Sequence, residues 1–306
     1  MRIFLAVALL LITASVYGAD AQFLQDVSVT VHTDNSQGSG VFITRELQLK
    51  KDDPKTAKVN FVWTAGHVVD GLRKIRDIID PNTGTPRKVI EYAPVYLVKE
   101  LNENGRKVGE TRMEGKVIKY SDADSGHDLA LIVLHKKNFL DVSAKFYLDE
   151  EILPIGTQLF HVGSLLGQDG ANSMTTGIIS QIGRVLNLNG SNSVIFDQTT
   201  VTAFPGSSGG GVFLASDNRY IGMLVRGAGE TFNLTVPVRR MKEFAKTNNL
   251  EWALDENVKA PSLEEILAQS IDDTKVKSDS KNSDQTDAKK NFPFLLKTNI
   301  IEDSNE

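Results

Sequence analysis

The chain has 306 residues, with 34 basic and 39 acidic side chains and a net charge of −5. This charge argues against a nucleic-acid partner, because non-specific binding to phosphates needs clustered Lys and Arg. The chain contains no Cys and five His, so disulfide scaffolds, thiol catalysis, iron–sulfur clusters and Cys zinc sites are excluded. No two His have the helical spacing of a zinc protease.

The N-terminus is typical of a secretory signal peptide. Arg2 supplies a short basic start, residues 3–12 are an unbroken apolar run, and residues 19–21 (Ala-Asp-Ala) match a cleavage site, with residues 16–18 as a second option. An apolar run of about ten residues is too short to span a bilayer, which takes about twenty. We therefore predict a signal peptide over residues 1–21, a periplasmic or secreted protein, and no stable membrane span after cleavage. An uncleaved N-terminal anchor is the alternative.

Residues 22–256 are predicted to form one all-β domain. Short runs rich in Val, Ile, Phe and Thr recur there, each bounded by Gly, Asn, Asp or Pro. About eleven to thirteen such strands fit a pair of barrels or a sandwich better than a doubly wound sheet. One clear helix is predicted from Val238 to about Leu250, with Met241 and Phe244 on one face.

Residues 257–306 are predicted to be a polar, disordered tail. The stretch 272–290 has few large apolar side chains and so cannot bury enough surface to offset the entropy of ordering. Two features interrupt it. A short helix is predicted to begin after Ser262, with Glu265 as its capping-box partner, and Phe292–Leu296 form an apolar island that is a candidate for docking.

Three segments place chemically useful side chains at the ends of predicted strands. His67 follows the apolar residues 61–65, Asp128 directly precedes the apolar residues 129–134, and Ser208 lies among glycines. A carboxylate held at a strand end can orient an imidazole. Glycines around a Ser permit a tight turn whose N–H groups converge, as an oxyanion hole requires.

The order of these residues separates the known types of catalytic triad. Residues 206–210 also fit the Gly-x-Ser-x-Gly elbow of α/β-hydrolases, but those enzymes run Ser, acid, His, and every His here precedes Ser208. Subtilisin order would need an Asp-Ser/Thr-Gly strand end before His67, and none is present. The remaining order is His67, Asp128, Ser208, as in chymotrypsin-type barrels.

The chain resembles trypsin-like (chymotrypsin-fold) serine proteases, and most closely the Cys-free bacterial HtrA/Deg branch. The resemblance is collinear from about Val27 to Phe244. It is carried by residues 38–43 (GSGVFI), 64–69 (TAGHVV), 127–131 (HDLAL), 156–158 (GTQ), 163–167 (GSLLG), 175–180 (TTGIIS), 205–210 (PGSSGG) and 232–237 (FNLTVP). It implies an all-β fold of two six-stranded antiparallel β-barrels with a C-terminal helix.

The chain also departs from this branch. HtrA/Deg proteins carry PDZ domains after the protease, and residues 257–306 are too few to form one, so we do not expect a PDZ domain. Gly211 replaces the usual Pro of the nucleophile loop. The long polar stretch from Leu72 to Gly115 predicts an extended insertion in the first barrel.

The resemblance implies a serine endopeptidase that acts on unfolded or extended protein segments in the cell envelope. Ser208 would attack the scissile carbonyl, His67 would move the proton to the leaving amine, and Asp128 would hold the imidazole tautomer. The N–H groups of Gly206 and Ser208 would form the oxyanion hole. No metal or other cofactor is implied, since the triad supplies nucleophile and base, and the expected partners are protein or peptide substrates.

The resemblance also implies a substrate site. An extended peptide would pair with the strand edge at Leu224, Val225, Arg226 and Gly227. Thr202 would form the base of the specificity pocket, Leu224 its wall and Gly227 its mouth. No Asp is expected at the base, so we predict cleavage after small or medium aliphatic residues rather than after Lys or Arg.

Two other functions remain compatible with the sequence. One is a catalytically silent module that keeps the protease fold and only binds. The other is an esterase that uses the same triad.

Overall fold

The computed structural model describes residues 20–79, 83–103, 105–188, 192–227 and 231–272. The predicted signal peptide, except for its last two residues, and the apolar island Phe292–Leu296 lie outside these ranges and stay predictions. Among the described residues, no helix has both the length and the apolar character needed to cross a membrane.

The first barrel is closed by six antiparallel strands, in the order β1–β2–β3–β8–β7–β6. The strands are β1 (Ser28–His32), β2 (Gln37–Gln48), β3 (Thr56–Thr64), β6 (Val95–Glu103), β7 (Arg106–Ser121) and β8 (Leu129–Leu134). Every residue of β8 is buried, which explains why its sequence is a continuous apolar run rather than an alternating one.

The second barrel is closed by six further antiparallel strands, in the order β10–β11–β14–β13–β12–β9. These are β9 (Gln158–Leu165), β10 (Gly170–Leu188), β11 (Asn192–Thr199), β12 (Gly211–Leu214), β13 (Tyr220–Gly227) and β14 (Asn233–Pro237). The predicted double-barrel fold is confirmed.

Four short α-helices accompany the barrels in the described ranges. They are α1 (Ala21–Asp26), α2 (Gly66–Val69), α3 (Val238–Asn248) and α4 (Leu263–Ala268). The helix predicted after the last strand is α3, and it buries Met241 and Phe244 as expected. The next residue, Asn249, has a left-handed backbone (φ 55°) that caps the C-terminus of the helix.

The long insertion in the first barrel forms two hairpins. Strands β4 (Arg73–Ile79) and β5 (Pro86–Tyr92) pair only with each other, so this hairpin stands outside the barrel. Beyond it, β6 and β7 stay paired out to Glu103 and Arg106. The first hairpin leaves Ile75 and Ile79 exposed.

Part of the segment for which we expected disorder is ordered. Ser262 and Glu265 form the predicted capping box at the start of α4, and this helix buries Leu263 and Ile266. The chain then runs to Asp272, which forms an ion pair with Arg73. The two apolar side chains and this pair compensate the cost of ordering, which a purely polar segment could not do.

Candidate active site

His67 and Asp128 meet because β3 and β8 are neighbours in the first barrel. Thr64, the last residue of β3, pairs with Ala130 near the start of β8, so α2 begins beside the residue that precedes β8. The His67 Nδ1 atom lies 3.0 Å and 3.1 Å from the two carboxylate oxygens of Asp128. The backbone N–H of His67 also donates to Asp128 Oδ1, at 3.0 Å.

The Asp128 carboxylate is buried and held in one orientation. Asp128 is 1% exposed and has a left-handed backbone, with φ 57°. The close packing of the His67 segment against the end of β7 requires a glycine at position 66, since a Cβ there would lie 2.3 Å from the Ser121 carbonyl oxygen. Burial by itself raises the pKa of Asp128, but the charge and hydrogen bonds of His67, together with Arg226, hold that pKa below its ordinary value.

Ser208 lies in a tight loop that only glycines can flank. Gly206 and Gly209 have φ values of 98° and 88°, and a Cβ at either would lie within 2.3 Å of a backbone oxygen. The neighbouring hydroxyl of Ser207 is buried and accepts a hydrogen bond from the Phe204 N–H. Ser208, by contrast, is only partly buried.

The N–H groups of Gly206 and Ser208 remain available in this loop. Within the described part of the chain, neither N–H donates to a protein acceptor, whereas the N–H groups of Ser207, Gly209 and Gly210 all do. Two N–H groups without an acceptor, in the loop that carries the Ser, are donors that an oxyanion hole could use.

The Ser208 hydroxyl makes no hydrogen bond with His67 in the described structure. Its Oγ atom instead points to the Val225 carbonyl oxygen, 3.4 Å away. Bonds between nucleophile and base are often loose without substrate and tighten in the complex. The structure thus brings His67 and Asp128 together directly and places the Ser208 loop beside the strand expected to bind substrate.

Ser39 is a site residue to which the sequence analysis gave no role. Its N–H donates to the Ser208 carbonyl oxygen at 2.7 Å, and its hydroxyl donates to the Gly206 carbonyl oxygen at 2.7 Å. The same hydroxyl accepts from the Ser164 N–H. Ser39 lies in the segment 38–43, which is one of those that carry the family resemblance. That segment could not show which loop Ser39 would hold.

The residues expected to bind substrate differ in their burial and in their contacts. Leu224 is buried and exchanges backbone hydrogen bonds with Gly209 and Gly210, which joins β13 to the Ser208 loop. Thr202 is half-buried, and Gly227 ends β13. Residues 228–230, beyond the expected mouth of the pocket, lie outside the described ranges.

Arg226, expected at the strand edge that binds substrate, turns its side chain toward the first barrel. Its side chain is only 16% exposed and donates to the Ala123 carbonyl oxygen at 3.1 Å. It therefore reaches toward the loop that carries Asp128 rather than into the cleft.

Two other histidines are held neutral. Burial lowers the pKa of His161 to about 4, and burial together with Arg240 lowers the pKa of His127 to about 4. Within the described ranges, no group of three or more His, Asp or Glu side chains could hold a metal ion.

Two antiparallel barrels, with a His–Asp pair on one and a glycine-framed Ser on the other, define the class of chymotrypsin-type hydrolases. The chain belongs to the trypsin-like peptidase domain family, whose pattern matches residues 38–223. It is a serine-type peptidase.

Similar solved structures include HtrA-type proteases. The HtrA-type protease AlgW, in a variant form with a tripeptide, shares 18% identity at a TM-score of 0.51 and covers 78% of this chain, which spans 64% of that one. An inactive form of Rv3671c from M. tuberculosis shares 15% identity at a TM-score of 0.50, covering 76% of this chain and 92% of that one. At these identities the likeness shows the fold alone. No curated protein sequence matches the chain.

Proposed function

We propose that the protein is an endopeptidase of the cell envelope, periplasmic or secreted, that hydrolyses peptide bonds in unfolded or extended protein segments. The observation that carries the proposal is the double contact of His67 Nδ1 with the buried Asp128 carboxylate, beside a loop that exposes Ser208. This pair orients an imidazole so that its other nitrogen, Nε2, is available as a base.

In the proposed reaction, Ser208 Oγ attacks the scissile carbonyl carbon as His67 Nε2 takes the hydroxyl proton. The resulting oxyanion accepts hydrogen bonds from the N–H groups of Gly206 and Ser208. Collapse of the tetrahedral intermediate expels the amine, which takes the proton from His67 and leaves an acyl-enzyme. Water, activated by His67, then releases the acid and restores Ser208.

The substrate would bind in an extended conformation against β13. In the free protein the Val225 carbonyl oxygen accepts a hydrogen bond from the Ser208 hydroxyl, at 3.4 Å. In the complex we expect it to accept one from a substrate N–H. Hydrogen bonds of this kind to a strand edge give affinity without sequence preference, while a pocket gives specificity. With Thr202, Leu224 and Gly227 around that pocket, we expect a small or medium aliphatic residue before the scissile bond.

Fluorophosphonate labelling of the mature chain, with peptide mapping, tests the proposal. We expect the label on Ser208 alone, none on the Ser208→Ala variant, and retention of the Ser208 label in the matched Ser207→Ala variant. Cleavage of unfolded casein should follow the same pattern. A folded wild-type protein that never takes the label would contradict the proposal and favour a silent binding module, and turnover of esters without peptides would favour an esterase.

A further inference from the structure

Two arginines of the second barrel reach the loop of the first barrel that ends at Asp128. Arg240, on α3, donates from Nη2 to the His127 carbonyl oxygen at 3.0 Å and from Nη1 to the Ile195 carbonyl oxygen at 3.0 Å. Arg226, on β13, donates from Nη2 to the Ala123 carbonyl oxygen at 3.1 Å. The two carbonyl groups that accept these hydrogen bonds belong to Ala123 and His127, on either side of the turn before Asp128.

Arg240 is buried, and the Arg226 side chain is partly buried. Arg240 is 5% exposed, and its guanidinium lies 4.8 Å from the centre of the Phe196 ring. Burial lowers the pKa of Arg240 to about 10, against the opposing charge of Asp128, so Arg240 remains a cation at neutral pH. A buried cation is costly unless an anion compensates it, and Asp128 is a buried anion close by.

The Asp128 carboxylate depends on a single residue for its hydrogen bonds. Among the described residues, His67 supplies every hydrogen bond to its carboxylate. When His67 becomes protonated during catalysis, the orientation of that carboxylate must not change.

We propose that Arg240 and Arg226 are positioning residues that lock the Asp128 loop onto the second barrel and keep Asp128 ionised and aimed at His67. This inference rests on the proposed function. Both guanidinium groups turn toward the Asp128 loop and not toward the substrate strand edge, so each side chain acts through Asp128.

The charged and titratable groups around Asp128 come from four elements. They are His67 on α2, Arg226 on β13, Arg240 on α3, and the Asp122, Asp124 and His127 side chains of its own loop. Burial leaves His127 neutral near pH 7, since its pKa is lowered to about 4. Replacing either arginine therefore leaves the acidic groups less compensated, which makes protonation of the His67–Asp128 pair easier.

The test is an NMR titration of the His67–Asp128 pair, followed through its shared Nδ1–H proton. In Arg240→Gln the midpoint should move upward by about half to one pH unit, the effect of losing one charge at an effective dielectric of about 20. Arg240→Lys keeps the positive charge, so its midpoint should lie close to that of the wild type. The matched control is Arg239→Gln, on the same helix, because Arg239 pairs with Asp197 instead.

Kinetics provide the second readout. The acid limb of the kcat/KM profile should move upward with the NMR midpoint, and kcat should fall by up to about 100-fold, as for misplaced catalytic groups. If Arg240→Gln fails to fold, Arg226→Gln, whose side chain is nearer the surface, should show the same shift. A loss of kcat with an unmoved midpoint in the folded variants would overturn the inference.

The two proposals can fail separately. A wild-type protein without peptidase activity whose midpoint still moves in Arg240→Gln would disprove the proposed function and keep the positioning role. An active wild type with the same midpoint in every variant would keep the proposed function and disprove the positioning role.

Discussion

At the scale of single residues, the site depends on backbone positions as much as on the three reactive side chains. Gly206 holds a φ of 98°, and a Cβ there would lie 2.2 Å from the Ser164 carbonyl oxygen. The loop that presents two free N–H groups is therefore accessible only to glycine at this position.

Gly206→Ala should remove most activity by displacing an oxyanion donor. We expect kcat to fall by about 100- to 1,000-fold, the usual effect of losing one such donor, with a smaller change in KM. Steady-state kinetics on a peptide substrate measure this. Gly71→Ala is the matched control, since nothing lies within 4 Å of the position of its Cβ, and equal losses in both variants would contradict the argument.

Ser39 links the barrels at the nucleophile loop, so its removal should affect both stability and rate. Ser39→Ala leaves the buried Ser164 N–H and the Gly206 carbonyl without their partner. We expect a loss of about 1–3 kcal/mol in the free energy of unfolding, measured by urea denaturation, and a lower kcat. Unchanged kcat in a destabilised variant would mean that Ser39 supports the fold without shaping the oxyanion loop.

At the scale of elements, the described end of the chain behaves as part of the first barrel. Tyr120, at the end of β7, donates its N–H to the Ile271 carbonyl oxygen at 2.8 Å. Arg73, which opens β4 just after α2, pairs with Asp272. The last described residues thus lie beside the elements that carry His67 and Asp128.

The helix α4 should contribute measurably to stability through its apolar face. Ile266 is 2% exposed and Leu267 is 41% exposed. Ile266→Ala should lower the free energy of unfolding by about 2–4 kcal/mol, as for other buried aliphatic truncations, whereas Leu267→Ala should change it little. Equal effects in chemical denaturation would mean that α4 does not pack in solution as described.

Strand β9 carries a buried His that should make the fold sensitive to acid. Burial lowers the pKa of His161 from 6.5 to about 4, so the unfolded chain binds a proton at a higher pH than the folded one. Stability should therefore fall as the pH drops from about 6.5 towards 4, by up to about 3 kcal/mol from this residue. The pH dependence of the urea midpoint measures this, and it should flatten in His161→Gln; an equal slope in that variant would assign the loss to other groups.

At the scale of the whole molecule, the larger of two buried clusters spans both barrels, and the smaller one lies within the second barrel. The larger cluster includes Val41 and Trp63 of the first barrel together with Val162 and Phe213 of the second. Polar contacts cross the same boundary, among them Thr30 to Ser164 at 2.6 Å. The cleft between the barrels is thus built on a packed interface rather than on a hinge.

A cluster that spans both barrels predicts that they unfold together. The only two Trp residues of the chain, Trp63 and Trp252, pack with the first barrel and α3, and so Trp fluorescence reports on that side, whereas far-UV circular dichroism reports on all strands. We expect the two denaturation curves to coincide. A circular dichroism transition that lags behind fluorescence would show that the second barrel is stable alone.

The sequence by itself determined the features that depend on local pattern and on chain order. Apolar runs bounded by turn residues indicated the strands, the order His67, Asp128, Ser208 indicated the type of fold, and Ser262 with Glu265 indicated the cap of α4. Each of these is a short-range signal, because periodicity and capping act over a few residues.

The tertiary structure alone decided which distant groups meet. The sequence could not show that Arg226 turns toward the Asp128 loop, that Arg240 joins it there, or that Ser39 holds the nucleophile loop. It also could not show where α4 and the residues up to Asp272 dock, since Leu263, Ile266 and Asp272 have partners far away in the chain. A long side chain has several rotamers of similar energy, and only the burial and charge supplied by the packed barrels select one of them.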